Sequence, residues 1–312
     1  MFNGPTLKTP MRRHVHALTL ALCAAMSSAP LFAATPINQT RPLDPRGTLE
    51  IDNLKGRIQV QAWDRNEVQV TGTLGKGVEK LVIEGDSDRL EVKVQYPERI
   101  GSWRGDRTEP TDLRLMVPLQ ANLEIDSVSA DIDVDGVAPG ELEIDTVSGN
   151  VTVAAAPVRA SIESVSGDLR LTLNTGKASS ESVSGDVHLS GRLDGEVKVE
   201  TVSGDIRVDS RGERIHRLST GTVSGDAEIR VALASGGQIR TETVSGDVRL
   251  HLPKNTSARL EGETFSGDLR APDASIKREE FGPGATIRAR YGSGAGEIHL
   301  ESFSGDAILV LE

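Results

Sequence analysis

Cysteine is all but missing from this chain of 312 residues: Cys23 is the sole example, and it lies in the N-terminal segment. Intrachain disulfides and cysteine-ligated metal centres are thereby excluded. Aromatic residues make up 3 % of the sequence. A broad globular core leans on Phe, Tyr and Trp for volume, whereas a narrow core of stacked aliphatic side chains does not. Long apolar runs are absent too. The run from Ala17 to Ala25 is soon broken by Ser27, Ser28 and Pro30, and is too short to span a bilayer. Lys8, Arg12 and Arg13 precede it and the small pair Ala33-Ala34 follows. That order reads residues 1–34 as a secretory signal peptide, cleaved after Ala33 or Ala34. Leu22 is bulkier than the residue expected before an acylated cysteine, so Cys23 is not read as a lipoprotein anchor.

Positive charge is also scarce. Lys and Arg total 35 against 46 acidic residues. Loss of residues 1–34 removes three basic and no acidic residues, leaving 32 against 46, a net charge of −14. That balance argues against nucleic acid and anionic lipid as partners, since both need a basic face. The balance suits a secreted protein of the periplasm or cell surface.

Catalytic signatures are missing as well. His188, His216, His251 and His299 are scattered. No Gly-x-Ser-x-Gly elbow, metal-ligand histidine pair or phosphate-cradling glycine loop occurs. Gly292, Gly294 and Gly296 alternate but have no following helix, so they read as a turn. No catalytic residue, cofactor site or metal site is expected.

What the chain does contain is a repeat. Val-Ser-Gly-Asp or a close variant recurs with its apolar residue at Val128, Val147, Val165, Val183, Val202, Val223, Val244, Phe265 and Phe303. The steps are 18 to 21 residues, except for a last step of 38 that equals two of 19. A period near 20 marks a solenoid whose units cannot bury their apolar faces alone. Each copy alternates on both sides of the motif, as in Val197, Val199 and Thr201, then Ile206 and Val208, which is the signature of strands. The parity slips by one between them, so a bend or bulge is expected. The small residue before the apolar one (Asn53, Ser127, Thr146, Ser164, Ser182, Thr201, Thr222, Thr243, Thr264 or Ser302) falls inward and can bond backbone freed by the bend. Val202 and its equivalents are read as opening the second strand's inward phase, so Val202→Asp should bury a charge.

A hairpin at Ser-Gly is the rival. Favoured two-residue loops place Gly first or use Asn-Gly, and this one would mix Val with Asp on one face. Parallel stacking is preferred. The fold class is therefore an all-β, single-domain parallel β-solenoid, or β-helix, over residues 49–312, after a lead-in or cap at 35–48. At about 4.8 Å per coil, about 13 coils make a rod of roughly 60 Å. Degenerate coils are placed at Leu81 to Val94 and Leu113 to Ile125, and loops at Tyr96 to Pro110 and Pro272 to Pro283. The final strand, ending Ile308-Leu309-Val310-Leu311-Glu312, is expected to present an open edge suited to end-to-end self-association.

Two acidic columns follow from the stack. Asp168, Asp186, Asp205, Asp226, Asp247, Asp268 and Asp306 form one, and Glu163, Glu181, Glu200, Glu242, Glu263 and Glu301 the other. Arg170, Arg207, Arg249 and Arg270 sit two residues beyond an aspartate and can offset it. The period is twice that of calcium-binding rolls and their double-glycine motif is missing, so a solvated face is favoured over calcium. Paired carboxylates would also suit a carbohydrate-active β-helix enzyme of lyase or glycosidase type. Against it, Trp63, Tyr96, Trp103 and Tyr291 are too dispersed for a sugar platform. Trp103 and Phe281, each in a loop, are either exposed binding anchors or caps on the stack.

The Thr/Ser-Val-Ser-Gly-Asp copies, the segment Leu113–Pro118 leading into Leu123–Asp126, and the ending Gly292 to Leu309 together resemble the bacterial putative-adhesin family of β-strand-repeat proteins, a domain of unknown function. The resemblance implies an extracytoplasmic β-solenoid whose nominal role is adhesion to an envelope glycan or protein. It carries no catalytic residues. The stop inside a strand, with no membrane barrel, speaks against self-display through an autotransporter pore.

Overall fold

The computed structural model describes residues 35–97, 108–280 and 282–312. The segment 1–34, Trp103 and Phe281 lie outside these residues. Among the described residues every helix or strand is a strand, and the strands join one large, mostly parallel sheet. It is all-β and solenoid-like, as the alternation requires.

The strand Leu193–Ser203 shows how one coil forms. Val197, Val199 and Thr201 point inward and are at most 4 % exposed. A corner follows at Gly204-Asp205, after which Ile206 and Val208 turn inward again. Each buried aliphatic side chain contributes roughly 1.5–3 kcal/mol. The next turn of chain repeats the pattern in parallel, with Val197 beside Leu218, Val199 beside Thr220 and Ile206 beside Ala227. Val and Ile therefore stack on other small or aliphatic residues, and no aromatic volume is needed.

The corner explains the glycine. Gly204 has φ +153°, and a Cβ there would sit 2.1 Å from the Gly185 carbonyl oxygen. Gly149, Gly167, Gly185, Gly225, Gly246, Gly267 and Gly305 stand in the same way against the coil beside them. Ala130 occupies the equivalent place inside the unbroken strand Asn122–Asp135, where φ is not positive.

The structure corrects the phase of the motif's apolar residue. Val202 is 48 % exposed, as are its equivalents within a few per cent, with Phe265 at 52 % and Phe303 at 57 %. The first strand keeps its alternation through Val202 and its pairing through Ser203, with Thr201 beside Thr222 and Ser203 beside Ser224, although Ser203 is itself exposed. The slip therefore falls between Ser203 and Ile206, and Val202 stays on the outward side.

Both ends of the stack depart from chain order. Near the N-terminus, Thr48–Trp63 pairs with Asn122–Asp135 on one side and with Arg89–Gln95 and Thr111–Pro118 on the other. The segment expected as a coil at Leu81 to Val94 is an antiparallel hairpin, Lys80–Gly85 with Arg89–Gln95. Its turn is held by the Asp86 carboxylate, which accepts the N–H groups of Asp88 and Arg89. Leu113 to Ile125 is likewise not one coil, because its two strands flank Thr48–Trp63 on opposite sides. Thr35–Pro42 lies antiparallel to Glu67–Leu74, burying Ile37.

The expected open C-terminal edge is covered in part. Gly296–Ser304 lies between Ala227–Ser245 and Ala258–Ser266, in parallel with both. Ala307–Leu311 likewise lies between Val248–Leu252 and Leu269–Arg270. It is paired along its whole length with Val248–Leu252, but with Leu269–Arg270 only at Ala307 and Ile308, so the edge open to end-to-end association shrinks to Leu309–Leu311 on one side. The stack turns back here because Ala285–Tyr291 pairs antiparallel with Ala258–Ser266, and Ser275–Arg278 with Ala285–Tyr291. Part of the expected 272–283 loop is therefore the strand Ser275–Arg278, whose Lys277 and Arg278 guard that edge.

A candidate binding groove

Because the first strand keeps its parity up to the corner, Glu200 and Val202 share its outward face. Stacking turns this pair into two stripes. One runs Asp52, Asp126, Asp145, Glu163, Glu181 and Glu200, then Gly221 and Glu242. The other is the exposed valine ladder, which ends in Phe303 and Phe265, stacked at 4.8 Å with 5° between ring planes. Between them run the buried small residues. Together the stripes line a groove of about 980 Å³ from Asp52 to Glu242.

The carboxylates are not equally compensated. Lys93 bonds Asp52, and Lys198 bridges Glu181 at 2.8 Å and Glu200 at 3.0 Å. Hydrogen bonds to those carboxylates raise both lysines above their ordinary value. Arg240 pairs with Glu242. Asp126, Asp145 and Glu163 have no cation within ion-pair distance among the described residues. Burial pushes the Asp126 carboxyl above the usual aspartate range, and the Asp52 charge adds to it, with Lys93 opposing. Asp145 is raised first by burial, then by Glu163, Glu143 and Asp126. This stretch is an anionic wall whose carboxylates have no ion-pair partner among the described residues, beside Val128, Val147 and Val165.

The aspartate column at the corner is different in kind. Each carboxylate Oδ1 accepts the N–H of the aspartate in the adjoining coil: Asp186 takes Asp205 at 2.9 Å, Asp205 takes Asp226 at 3.0 Å, and Asp226 takes Asp247 at 2.8 Å. Asn150 plays the same part toward Asp168. The arginines expected to compensate the column do so, Arg170 reaching Asp168 at 2.9 Å and Arg270 reaching Asp268 at 3.2 Å. Arg278 joins in, and together they hold Asp268 below the usual range. The column is a structural spine. Alternation reveals its direction, but nothing in the sequence reveals that the carboxylates close a backbone ladder.

The small inward residues divide. The Ser127 hydroxyl donates to the Asn53 carbonyl and accepts from the Ala130 N–H, and the Thr146 hydroxyl donates to the Ser148 carbonyl. The hydroxyls of Ser164, Ser182, Thr201, Thr243 and Ser302 have no partner among the described residues. Repair of the bend by these groups therefore holds in only part of the stack.

Among the histidines, His188 and His216 are exposed and His251 and His299 half-buried. Gly292 and Gly294 form the expected turn, with the Gly294 N–H bonding the Tyr291 carbonyl. Trp63 packs under Arg65 at 5.0 Å, and the Tyr96 hydroxyl bonds Asn53, so neither joins a sugar platform. No helix among the described residues is long and apolar enough to cross a membrane.

A comparison with curated proteins finds no match. Solved structures from bacteria resemble the chain. A putative lipid binding protein from Parabacteroides distasonis ATCC 8503 is 11 % identical, covering 88 % of this chain and 96 % of its own, with a TM-score of 0.47. A putative adhesin from Bacteroides fragilis NCTC 9343 is 8 % identical over 89 % of this chain and 99 % of its own, at 0.45. A putative cell adhesion protein from Clostridium sporogenes ATCC 15579 is 11 % identical over 89 % and 100 %, at 0.27. Scores this low lend nothing to the choice of ligand. The family Toastrack DUF4097 matches residues 108–238, which include the uncompensated wall and most of the valine ladder. Residues 108–238 thus match the model of the Toastrack family, and the resemblance to the bacterial putative-adhesin group is borne out over that segment.

Proposed function

We propose that the chain is an extracytoplasmic, non-enzymatic binding module, and that its groove takes an extended, cationic and partly apolar segment of an envelope protein. The observation that carries this reading is the uncompensated run Asp126, Asp145 and Glu163 beside Val128, Val147 and Val165. Carboxylates along one wall favour a row of cations, and the half-exposed valines offer apolar surface that a side chain can cover. A glycan fits less well, because the wall is aliphatic and the only stacked rings among the described residues, Phe265 and Phe303, close one end of the ladder. The signal-like order of residues 1–34 supports export. Raised carboxyls are also what a glycosidase needs for an acid, but here near-identical carboxylates repeat from coil to coil with no distinct partner group facing them.

The test is fluorescence anisotropy on residues 35–312 with a labelled peptide alternating lysine and leucine, beside its glutamate-leucine counterpart. The lysine peptide should bind and the glutamate peptide should not. Asp126→Asn, Asp145→Asn and Glu163→Gln combined should weaken binding at least about tenfold, about 1.4 kcal/mol, without lowering the melting temperature. Because the two aspartates are raised, they take up protons before ordinary aspartates do as pH falls. Affinity should therefore start to fall above the usual aspartate range. Equal binding of both peptides, or cleavage of a glycan panel, would defeat the reading.

A further inference from the structure

We infer that Glu263, His299 and Glu301 form a site for a divalent transition-metal ion of the zinc type, just past the end of the groove where its carboxylate stripe continues beyond Glu242. The sequence alone points to no such site, and the insertion of the last coil explains why. In chain order the neighbour of Ala258–Ser266 would be Ala227–Ser245, which offers Arg240. The structure instead places Gly296–Ser304 there, setting His299 beside Glu261 and Glu301 beside Glu263. His299 and Glu301 are two residues apart and so share one face, with Glu263 directly across from the second.

One ligand atom from each of the three lies within 4.8 Å of the others, and His299 Nε2 stands 3.5 Å from Glu301 Oε2. Ligands bound tetrahedrally at about 2.0–2.2 Å from a metal are roughly 3.3–3.6 Å apart. The histidine–glutamate spacing already matches this, and the exposed Glu263 has room to swing in. The donor set is one imidazole and two carboxylates, which suits zinc better than calcium or magnesium, whose ligands are oxygen alone.

The competing cation is Arg240. Its Nε is bonded to Glu242 on its own strand, and only its Nη2 approaches Glu301, at 3.8 Å. Glu263 has no cation at ion-pair distance among the described residues. Two carboxylates and a neutral imidazole would offset the charge of a divalent ion, and solvent can fill the remaining positions. Bound there, the ion would bridge the inserted coil to Ala258–Ser266.

Calorimetry on EDTA-treated, dialysed residues 35–312 with zinc chloride tests this. One equivalent should bind and the melting temperature should rise, while equal concentrations of magnesium or calcium should do much less. His299→Ala should abolish the uptake, and His188→Ala, an exposed histidine elsewhere, should not. Glu263→Gln is a milder change at an exposed position and should also abolish it, with an unchanged circular dichroism spectrum showing an intact fold. Cobalt should give a visible spectrum in the wild type that His299→Ala lacks. No uptake, uptake indifferent to His299 and Glu263, or equal stabilisation by calcium would each overturn the site.

Discussion

Alanine at Gly204 and at Gly212 isolates what the corner demands. Both residues have positive φ, +153° and +87°, so alanine is strained at either. At Gly212 a Cβ meets nothing within 4 Å. The cost is conformational alone, about 1–2 kcal/mol. At Gly204 the Cβ would lie 2.1 Å from the Gly185 carbonyl oxygen and 2.7 Å from its carbon. That backbone cannot easily retreat, since the Gly185 N–H is bonded to the Ser203 carbonyl. Strain of about 1–3 kcal/mol adds to an overpacking cost of similar size, giving about 4 kcal/mol in all. For a chain of this size that lowers the melting temperature by about 10 °C, against about 3–4 °C for Gly212→Ala. Calorimetric melts of the two variants beside wild type provide the measurement. If Gly212→Ala is as damaging as Gly204→Ala, or Gly204→Ala melts within about 2 °C of wild type, close approach of coils is not what the glycine serves.

Two further outcomes follow from the same corner. Val199→Ala, at a fully buried position, should cost about 2 kcal/mol in urea unfolding, whereas the half-exposed Val202 should tolerate Ala or even Asp for less than about 1 kcal/mol. Equal losses would restore the inward placement of the ladder. Asp205→Asn keeps the acceptor for the Asp226 N–H, as Asn150 does for Asp168, and should be nearly neutral, while Asp205→Ala should cost about 1–2 kcal/mol and speed hydrogen exchange at the Asp226 amide.

The strands, the parallel stacking, the inward Thr201 and the glycine corner are all legible in the sequence, because each follows from local alternation repeated many times. The placement of Val202 is not. Its number has the parity of Ile206, and only the persistence of pairing through Ser203 decides which strand it belongs to. Nor is the partner of the last coil legible. The peptides around Thr243, Thr264 and Ser302 are nearly interchangeable, so their alternation fits any of them beside any other. What settles the order is the return strand Ala285–Tyr291, which occupies one side of Ala258–Ser266 and leaves the other to Gly296–Ser304. The groove was half legible: both acidic columns could be written down, but placing the apolar ladder inside hid the surface they share.

The inserted coil changes how this protein can be assembled. A stack built in chain order can zip up as it emerges, each turn of chain settling on the one before it. That process runs from Asn122 to Leu252 and then halts, because Ala258–Ser266 settles on a segment that comes later in the chain. The amide of Asp306 must find the carboxylate of Asp247 while Asp268 waits for Asp306. Closing the loop between them costs chain entropy before any contact repays it, so this end should be the slow step of folding. Until the closing segment arrives, the strand Val248–Leu252 keeps a bare row of amides and carbonyls. The hazard of a sticky strand is therefore greatest in the newborn chain.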